Sequence, residues 1–411
     1  MCALTCRVLL ARRELARPVS TRRQLVPFAA LSASYFAHIG FFNPYLPLWL
    51  KELGFSLLAI SVLVSLQAAT RLFAPYGWGW LSDRTGERIK LLRYSACVAL
   101  LASTGLWFDG GLQWLFLVLL VMFAHTSAMM PMSEAAMAHL VTQGGVFDTR
   151  RYGRIRLWGS LGFLVTVLAA GAWFEQDGMR HFPAWTVATM LAVAVSVWFL
   201  PDLKEAVPEH AQHVNVLPAL RQRAVQWFFA ASFFHVLSHL RIYVFFSLYL
   251  DSLGYSKTMI GLLWALSVVV EIGWFFTQSR WLPRLSLTAW LMLCSAAMLL
   301  RMGITASSAQ VLVLLLVAQA LHALTFATHH TVCIALLSKH FNGRLRGRGQ
   351  ALYTVIAYGF PGLLGGLAGG VLSTRYGLVS VYWASVGTSL LALLCAFGAW
   401  RHQHQRSPMP S

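Results

Sequence analysis

An eleven-residue stretch that recurs 200 positions later constrains the fold of this chain more than any other feature. Residues 46–56 read LPLWLKELGFS and residues 246–256 read FSLYLDSLGYS, so the two copies share three leucines, a glycine and a serine. A long apolar run precedes each copy and another follows it. Repetition at half the length of an apolar chain predicts two similar helix bundles that enclose a path between them.

The composition predicts that lipid surrounds most of the chain. Charged residues make up 11% of the sequence, against roughly 25% in ordinary globular domains. Hydrophobic residues reach 58% and the mean hydropathy is +0.63, which is more apolar surface than a soluble fold of this size could bury. The net charge of +18 does not indicate a nucleic-acid partner, because the basic residues form short clusters between apolar runs and no single stripe.

Twelve apolar runs are long enough to cross a membrane, which takes about 20 mostly apolar residues. Numbered as spans 1 to 12, they are 26–50, 57–80, 91–108, 112–139, 156–174, 183–200, 225–250, 258–281, 285–304, 309–338, 350–373 and 379–400. The predicted fold is an all-α membrane protein with twelve transmembrane helices in two pseudo-symmetric six-helix bundles. The predicted domains are an N-terminal tail (1–25), the two bundles (26–200 and 225–400), a linker (201–224) and a C-terminal tail (401–411).

The distribution of lysine and arginine predicts the orientation of the chain. The two tails and the even-numbered loops carry 25 of these residues, while the odd-numbered loops carry four. The positive-inside rule then places both termini and the linker in the cytoplasm of a multi-pass protein of the bacterial inner membrane. Six arginines within the first 24 residues precede no compact apolar core with a cleavage site, which favours a cytoplasmic tail over a cleaved signal.

Neither the cysteines nor the short motifs indicate an enzyme or a metal centre. Four of the six cysteines lie in apolar runs and no C-x-x-C pair is found, so we expect no disulfide framework and no metal site. The sequence also lacks H-E-x-x-H, G-x-S-x-G and G-x-x-x-x-G-K-[ST], which argues against a membrane enzyme and against ATP-driven transport. We therefore predict no cofactor; a proton gradient is the expected energy source.

The loop after span 2 carries a distinct charge pattern. It reads GWLSDRTGERIK over residues 79–90 and resembles the G-x-L-x-D-R-x-G-R-R loop of the major facilitator superfamily. Asp83 can face a helix N-terminus or an arginine of the neighbouring bundle, and a turn at Gly86 would hold the basic residues at the cytoplasmic rim. Glu87 departs from the basic residue of the family. The predicted cytoplasmic gate consists of Gly79, Asp83, Arg84, Gly86 and Arg88; the alternative for Arg88 and Lys90 is a positive-inside anchor only.

Further stretches resemble the 3-phenylpropionate transporter family, which is related to lactose permease. They are NPYLPLWL at 43–50, RLFAP at 71–75, WGW at 78–80, RYGRIRLWGS at 151–160, LHALTF at 321–326 and RGQALY at 348–353, and the resemblance extends from about residue 26 to 400. In span 7 the family has Gly-Pro-Tyr after a histidine, whereas His239 is followed by Leu240-Arg241-Ile242-Tyr243. The resemblance implies a secondary transporter, and the departure leaves its substrate open.

Ionisable residues inside the spans are candidates for function, because each costs about 2.5–3.5 kcal/mol at mid-helix on insertion scales. The acids are Glu134 in span 4 and Glu271 in span 8. The cations are Arg71, Arg241 and Arg301, with Arg156 at the mouth of span 5, and the histidines are His38, His125, His235, His239, His322, His329 and His330. The spans thus hold three arginines against two glutamates, and a cavity with surplus positive charge suits an anion.

A match to lactose permease implies roles for several of these residues. Glu134 and Arg156 fall where the permease keeps a carboxylate and an arginine for its sugar. Glu271, Arg301 and His322 fall near its proton-coupling positions. Its acid three residues after the histidine is Thr325 here, so its proton relay cannot be carried over whole. The residues predicted to bind substrate are Glu134, Arg156, Arg71, His239 and Arg241. The residues predicted to couple protons are Glu271, Arg301 and His322.

Structural roles compete with each of these assignments. Glu134 and Arg156 could form an inter-helix ion pair only, and Glu271 could simply neutralise Arg241 or Arg301. Most of the histidines could be hydrogen-bonded packing residues, and the arginine of span 2 could bind a helix carbonyl instead of a ligand.

The sequence as a whole predicts a monomer that transports a small aromatic carboxylate together with protons, across a lipid bilayer, by alternating access. Surplus positive charge suits the carboxylate, and aromatic walls suit a flat ring. If Glu271 lies beside an arginine in only one state, its proton affinity differs between the states, so protonation selects a state. A sugar or nucleoside symporter is the alternative, since an acid–arginine pair also suits hydroxyl-rich ligands; an exporter of drugs or metabolites is another.

Overall fold

The computed structural model describes residues 21–143, 146–147, 149–202, 216–341 and 345–403, so much of the predicted tails and linker lies outside the described residues. Within them, twelve helices are long and apolar enough to cross a membrane, and the predicted all-α membrane fold is confirmed. The spans are Leu25–Glu52, Leu57–Thr85, Arg88–Trp107, Gly111–Met137, Gly153–Asp177, Met179–Trp198, Arg223–Ser252, Lys257–Arg284, Leu287–Ser308, Leu312–His340, Arg348–Tyr376 and Val379–His402.

Two spans of the C-terminal half contain a π-helical turn. Span 10 consists of Leu312–Ala320, the π turn Ala323–Thr328 and His329–His340. Span 11 consists of Arg346–Tyr353, the π turn Thr354–Gly359 and Phe360–Tyr376. Turns of this kind are frequent at functional sites, because the extra residue frees a carbonyl and turns the following side chains.

The remaining elements adjust the ends of spans or connect them. The helix of span 1 begins at Thr21, that of span 5 begins at Thr149, and span 4 joins Gly111–Thr126 to Met129–Val141. Turns of 3-10 helix lie at Thr104–Trp107, Met179–His181 and Leu282–Arg284, and a short helix, Leu217–Leu220, precedes span 7. Two antiparallel strands of two residues each, Thr142–Gln143 and Val146–Phe147, follow span 4.

Span 2 ends five residues later than predicted. It continues to Thr85 and not to residue 80, because polar residues can extend a helix beyond the apolar layer of the membrane. Gly86 stops it with φ 67°, and its N–H bonds to Ser82 O. A left-handed glycine that returns a hydrogen bond to the last turn is a common helix ending.

The eleven-residue repeat encodes the same helix–turn–helix connection twice. Gly54 has φ +84° and Gly254 has φ +85°, a conformation that favours glycine. Two residues later, Ser56 and Ser256 cap spans 2 and 8: their hydroxyl oxygens accept from the backbone N–H three residues on, at 3.2 and 3.1 Å. The repeated glycine and serine are therefore requirements of the turn, and the repeated leucines pack the helix before it.

Buried apolar side chains show that the two six-helix halves share a core at one end. One cluster takes Tyr45 from the first half and Phe245 from the second. A second cluster, around Phe28, belongs to the N-terminal half, and a third, around Phe228, belongs to the C-terminal half. The halves are thus packed against each other at the end that carries the repeats, and they have separate cores at the other end.

Charged and polar contacts join the halves at the repeat-bearing end, which we call the repeat face and define by Lys51, Glu52, Asp251 and Lys257. Lys51 Nζ lies 2.6 Å from Asp251 Oδ2, and Lys257 Nζ lies 3.6 Å from Glu52 Oε1. Tyr45 Oη, in the first half, donates a hydrogen bond to the backbone carbonyl of Lys257, in the second half, at 3.2 Å. Lys51 and Asp251 occupy the same position of the two repeats, so this ion pair crosses the pseudo-two-fold axis.

Away from the repeat face, small residues let spans 2 and 11, one from each half, approach each other closely. On span 11, a Cβ added at Gly366 or Gly370 would lie 1.8 Å from the hydroxyl of Ser65 or Ser61 on span 2. Toward the face opposite the repeats, Tyr76 Oη donates to Ala351 O at 3.0 Å. The glycine-rich run of span 11 is therefore a packing surface for span 2, as expected where small residues let membrane helices approach.

Candidate functional site

A buried arginine organises the polar cluster of the C-terminal half. Arg301 of span 9 is 2% exposed, and its guanidinium donates to three residues of span 10. Nη1 lies 2.9 Å from Thr325 Oγ1 and 3.1 Å from His322 Nδ1, and Nη2 lies 3.0 Å from Gln319 Oε1. Ser267 of span 8 donates to the same amide oxygen at 2.6 Å. These partners are all neutral or weakly basic, so the cluster holds a positive charge that is out of water.

Glu271 joins this cluster through the histidine. Its Oε2 lies 3.5 Å from His322 Nε2. Because a guanidinium only donates, His322 Nδ1 must accept from Arg301, which assigns the imidazole proton to Nε2, on the side of Glu271. An ionised Glu271 can accept from that N–H, whereas the hydroxyl of a protonated Glu271 finds no acceptor on the ring. Protonation of Glu271 therefore changes its contact with His322.

The three residues predicted to couple protons thus lie in one chain of contacts. The sequence left open whether Glu271 neutralises Arg241 or Arg301; among the described residues its ion-pair contact is with His322 and with neither arginine. Arg241 lies apart from the chain. It is 5% exposed and donates from Nη1 to Thr388 at 3.2 Å and to Ser385 at 3.3 Å, both on span 12. The structure does not bring it to the other predicted substrate residues.

Histidines of spans 7 and 10 differ in their surroundings. His235 Nε2 lies 2.8 Å from the carbonyl of Thr325, inside the π turn, and its ring stacks on His329 with centroids 3.7 Å apart. His239 is 3% exposed, stacks on Phe326 with centroids 5.4 Å apart, and has no hydrogen-bond partner for either ring nitrogen among the described residues. The first pair packs the two spans, while His239 adds an unsatisfied imidazole beside the cluster.

The predicted acid–arginine pair of the N-terminal half lies near a histidine of the C-terminal half. Arg156 Nη1 lies 2.8 Å from Glu134 Oε1, with the side chains 45% and 33% exposed, and the guanidinium lies over the Phe36 ring at 5.4 Å. His330 of span 10 is exposed and interacts electrostatically with Arg156, Glu134 and Glu271. Ionisable residues of the two halves are therefore near enough to interact through their charges.

Arg71 is a half-buried cation at the middle of span 2. It interacts electrostatically with Tyr35 of span 1, Tyr243 of span 7 and Tyr358 of span 11. In the described part of the chain it has neither a hydrogen bond nor an ion pair. The alternative of a bond to a helix carbonyl is therefore not seen, and the guanidinium is available for a ligand.

The residues predicted to form a gate make contacts within their own half. Asp83 Oδ1 lies 3.3 Å from Arg88 Nη2, and Gly86 forms the expected turn. Arg84 lies over a tryptophan ring of its own helix at 5.4 Å, and Gly79 lies inside that helix. In this conformation Asp83 thus has a local partner in place of the cross-bundle arginine that the sequence allows.

Sequence reasoning missed the neutral members of the site. They are Gln319, whose Oε1 accepts from Arg301, and Ser267, which donates to the same Oε1. A signal was available for Gln319, because it stands three residues before His322 in an otherwise apolar stretch and so shares its helix face. The π turn that redirects span 10 has no comparable signal.

Twelve spans in two halves, with ionisable residues inside the spans of both halves, are the features of a secondary transporter. A model of the MFS_1 like family matches residues 30–384, and the chain belongs to this family of the major facilitator superfamily. The family and its relatives are transporters and not enzymes. The predicted superfamily, fold and class are therefore confirmed.

Two named relatives and one solved structure are similar to this chain. A probable 3-phenylpropionic acid transporter of Escherichia coli (strain K12) is 26% identical over 336 residues, which cover 79% of this chain and 85% of the relative. A maltose permease of Geobacillus stearothermophilus is 30% identical over 265 residues, 63% of this chain and 65% of the permease. The crystal structure of nucleoside transporter NupG has a TM-score of 0.77 at 16% identity, and covers 93% of this chain and 99% of its own.

Proposed function

We propose that the protein imports a small aromatic carboxylate together with a proton by alternating access. The observation that supports the proposal most is the contact chain from Arg301 through His322 to Glu271, placed beside ionisable residues of the other half. The resemblance to a probable 3-phenylpropionic acid transporter supports the substrate class. No resident cofactor is required, because the proton gradient supplies the energy.

The charges of the contact chain explain why a proton and an anion would travel together. With His322 neutral, ionised Glu271 and Arg301 sum to zero, and protonation of Glu271 leaves a net charge of +1. A substrate carboxylate is stabilised by that charge, and by linkage a bound carboxylate raises the proton affinity of the site equally. The bound carboxylate then offsets one positive charge of the site, which lowers the cost of carrying that charge through the membrane interior.

The positive-inside pattern predicts which end of the protein faces the cytoplasm. It places the repeat face outside the cell, and it places both termini and the loop at 79–90 in the cytoplasm of a bacterium. The ion pairs at the repeat face close the path on the outer side, so the structure would represent an inward-facing state of a monomer in the inner membrane. In the outward-facing state those pairs open, and Asp83 becomes free to meet the neighbouring bundle.

Uptake by proteoliposomes with an alkaline interior tests the proposal. The wild-type protein is expected to accumulate 3-phenylpropionate above equilibrium and to lose this accumulation when a protonophore is added. Glu271→Gln should abolish uphill accumulation and retain exchange of substrate across the membrane. Asp109→Asn, at an exposed carboxylate between spans 3 and 4, is the matched control and should behave as wild type.

Each outcome has a separate meaning for the proposal. Uphill transport by Glu271→Gln would remove Glu271 from proton coupling. Failure of the wild-type protein to transport any aromatic acid would remove the substrate class. Accumulation that proceeds without a pH gradient would remove the proton, and preferential efflux of substrate driven by the gradient would indicate an exporter.

A hydroxyl-rich substrate is the second candidate. The Glu134–Arg156 pair is accessible and lies against an aromatic ring, an arrangement that also binds hydroxyl groups. The maltose permease and the nucleoside transporter among the similar proteins favour it as well. Competition distinguishes the two classes: 3-phenylpropionate should inhibit uptake and its amide should not, whereas inhibition by maltose or a nucleoside alone supports the second candidate.

A further inference from the structure

Arg71 lies where span 2 crosses the π turn of span 11. A Cβ added at Gly359 would come within 2.1 Å of Leu72 Cδ2, and one at Gly362 would lie 2.6 Å from Ala68 Cβ. Residues 68 and 72 thus face span 11 directly, and Arg71 is the neighbouring position on the helix surface. Tyr358, one residue before Gly359, flanks the same crossing. Arg71 therefore lies at the edge of the close contact between spans 2 and 11 and not at its centre.

The directions of spans 2 and 7 bring Arg71 toward Tyr243. A Cβ at Gly362 would lie close to both Ala68 of span 2 and Leu240 of span 7, at 2.6 and 3.1 Å, so these residues share one level of the bundle. Helical side chains lean toward the N-terminus of their helix. Arg71 stands three residues after Ala68 and Tyr243 three residues after Leu240, on spans that run in opposite directions. Both side chains therefore lean back toward the common level, where they interact electrostatically.

We propose that Arg71 is the anchor for the carboxylate of the substrate; this inference rests on the proposed function and names the group that binds its anionic end. Arg71 is half-buried and, among the described residues, its guanidinium is unpaired, so no carboxylate of the described chain competes with a ligand for it. A carboxylate would supply two acceptors that match its planar donors. The tyrosines that interact electrostatically with it come from both halves: Tyr35 from the first, and Tyr243 and Tyr358 from the second.

Tyr243 also connects this anchor to the proton-coupling chain. It interacts electrostatically with Arg71, with Glu271 and with Arg301, and its ring lies 5.5 Å from that of Trp264. An aromatic ring attached to the bound carboxylate would therefore lie beside these rings, while its negative charge is felt at Glu271. The two roles are therefore separate: Arg71 binds the substrate, and Glu271 accepts the proton.

Ligand-induced thermal stabilisation of the purified protein in detergent tests the anchor without requiring transport. The probes are 3-phenylpropionate and its neutral amide, titrated against wild type, Arg71→Gln and Glu271→Gln. Binding of the carboxylate to Arg71→Gln is expected to be about 10- to 100-fold weaker, the loss typical of a charge-assisted hydrogen bond. Glu271→Gln, which mimics a protonated carboxyl group, should keep the wild-type affinity for the carboxylate within about threefold.

Controls separate a lost anchor from a lost fold. Arg71 has no hydrogen-bond partner in the described part of the chain, so Arg71→Gln should unfold at the wild-type temperature. Arg71→Met, which keeps the apolar stem, is the second variant with the same expected loss of binding. Arg280→Gln removes one exposed cation at the end of span 8 and should bind as wild type. Unchanged affinity in either Arg71 variant would overturn the anchor while uptake by the wild type still supports the proposed function. A wild type that binds neither probe would overturn both.

Discussion

The ion pair between Lys51 and Asp251 gives a quantitative prediction about alternating access. It joins the two halves at 2.6 Å, with the side chains 46% and 27% exposed, so it must break when the repeat face opens. An exposed pair of this kind contributes about 0.2–1 kcal/mol. Lys51→Asp removes the attraction and adds a repulsion of similar size, so the closed repeat face should lose about 0.5–2 kcal/mol. At tenfold per 1.4 kcal/mol, the ratio of open to closed molecules rises about 2- to 30-fold.

Distances between spin labels across the repeat face measure this ratio. Labels at Leu53 and Ser252, one in each half and both exposed, would be introduced into a background without native cysteines. Lys51→Asp should increase the long-distance population, and the exchanged pair, Lys51→Asp with Asp251→Lys, should restore most of the closed population. The effect of the single variant should shrink at 1 M salt, because the charges are accessible to screening ions.

A charge reversal within one half provides the control. Arg180 and Asp177 lie 3.9 Å apart at the same face and in the same half, so Arg180→Asp should leave the distance distribution unchanged. If the exchanged pair stays as open as Lys51→Asp, the attraction between these two residues does not hold the face closed. An equal response to Arg180→Asp would show that net charge, and not the cross-half contact, sets the equilibrium.

Three further predictions concern the fold and the site. Arg301→Ala should lower the free energy of unfolding by about 1.5–3 kcal/mol or more, because three buried partners lose a charged donor; thermal unfolding in detergent measures this loss, and an unchanged midpoint would contradict it. Gly261→Ala should open the repeat face in the spin-label assay, since the new Cβ would lie 2.6 Å from Tyr45 Oη and 2.8 Å from Val167 O, whereas Gly273→Ala, with no atom within 4 Å, should not. Ser56→Ala and Ser256→Ala should each destabilise the protein by about 1 kcal/mol through loss of the helix cap, and clearly unequal losses would show that the two repeats do not serve the same turn.

Hydropathy predicted the twelve spans because each helix must be apolar for most of its length to lie in lipid. The repeat predicted two similar halves, since the same turn needs the same glycine and serine. The break in span 4 and the π turns of spans 10 and 11 were not predicted. Hydropathy summed over a whole span does not register a break or an extra residue inside it.

The partners of the buried ionisable residues were less predictable than their presence. Glu271, Arg301 and His322 were grouped by a family resemblance, and the structure places them in contact. Arg241 stands only two residues after His239, yet a helix turns these two side chains about 200° apart, so one faces span 12 and the other the polar cluster. When a helix is apolar on every side, its hydrophobic pattern does not show which side faces which neighbouring helix.

The ion pair between repeat-equivalent positions also shows what a single polypeptide permits. At a true two-fold axis a residue meets its own copy, so a dimer of identical six-helix subunits could place only lysine against lysine, or aspartate against aspartate, at this point. Because both halves belong to one chain, the two positions can differ, and here they carry opposite charges that attract.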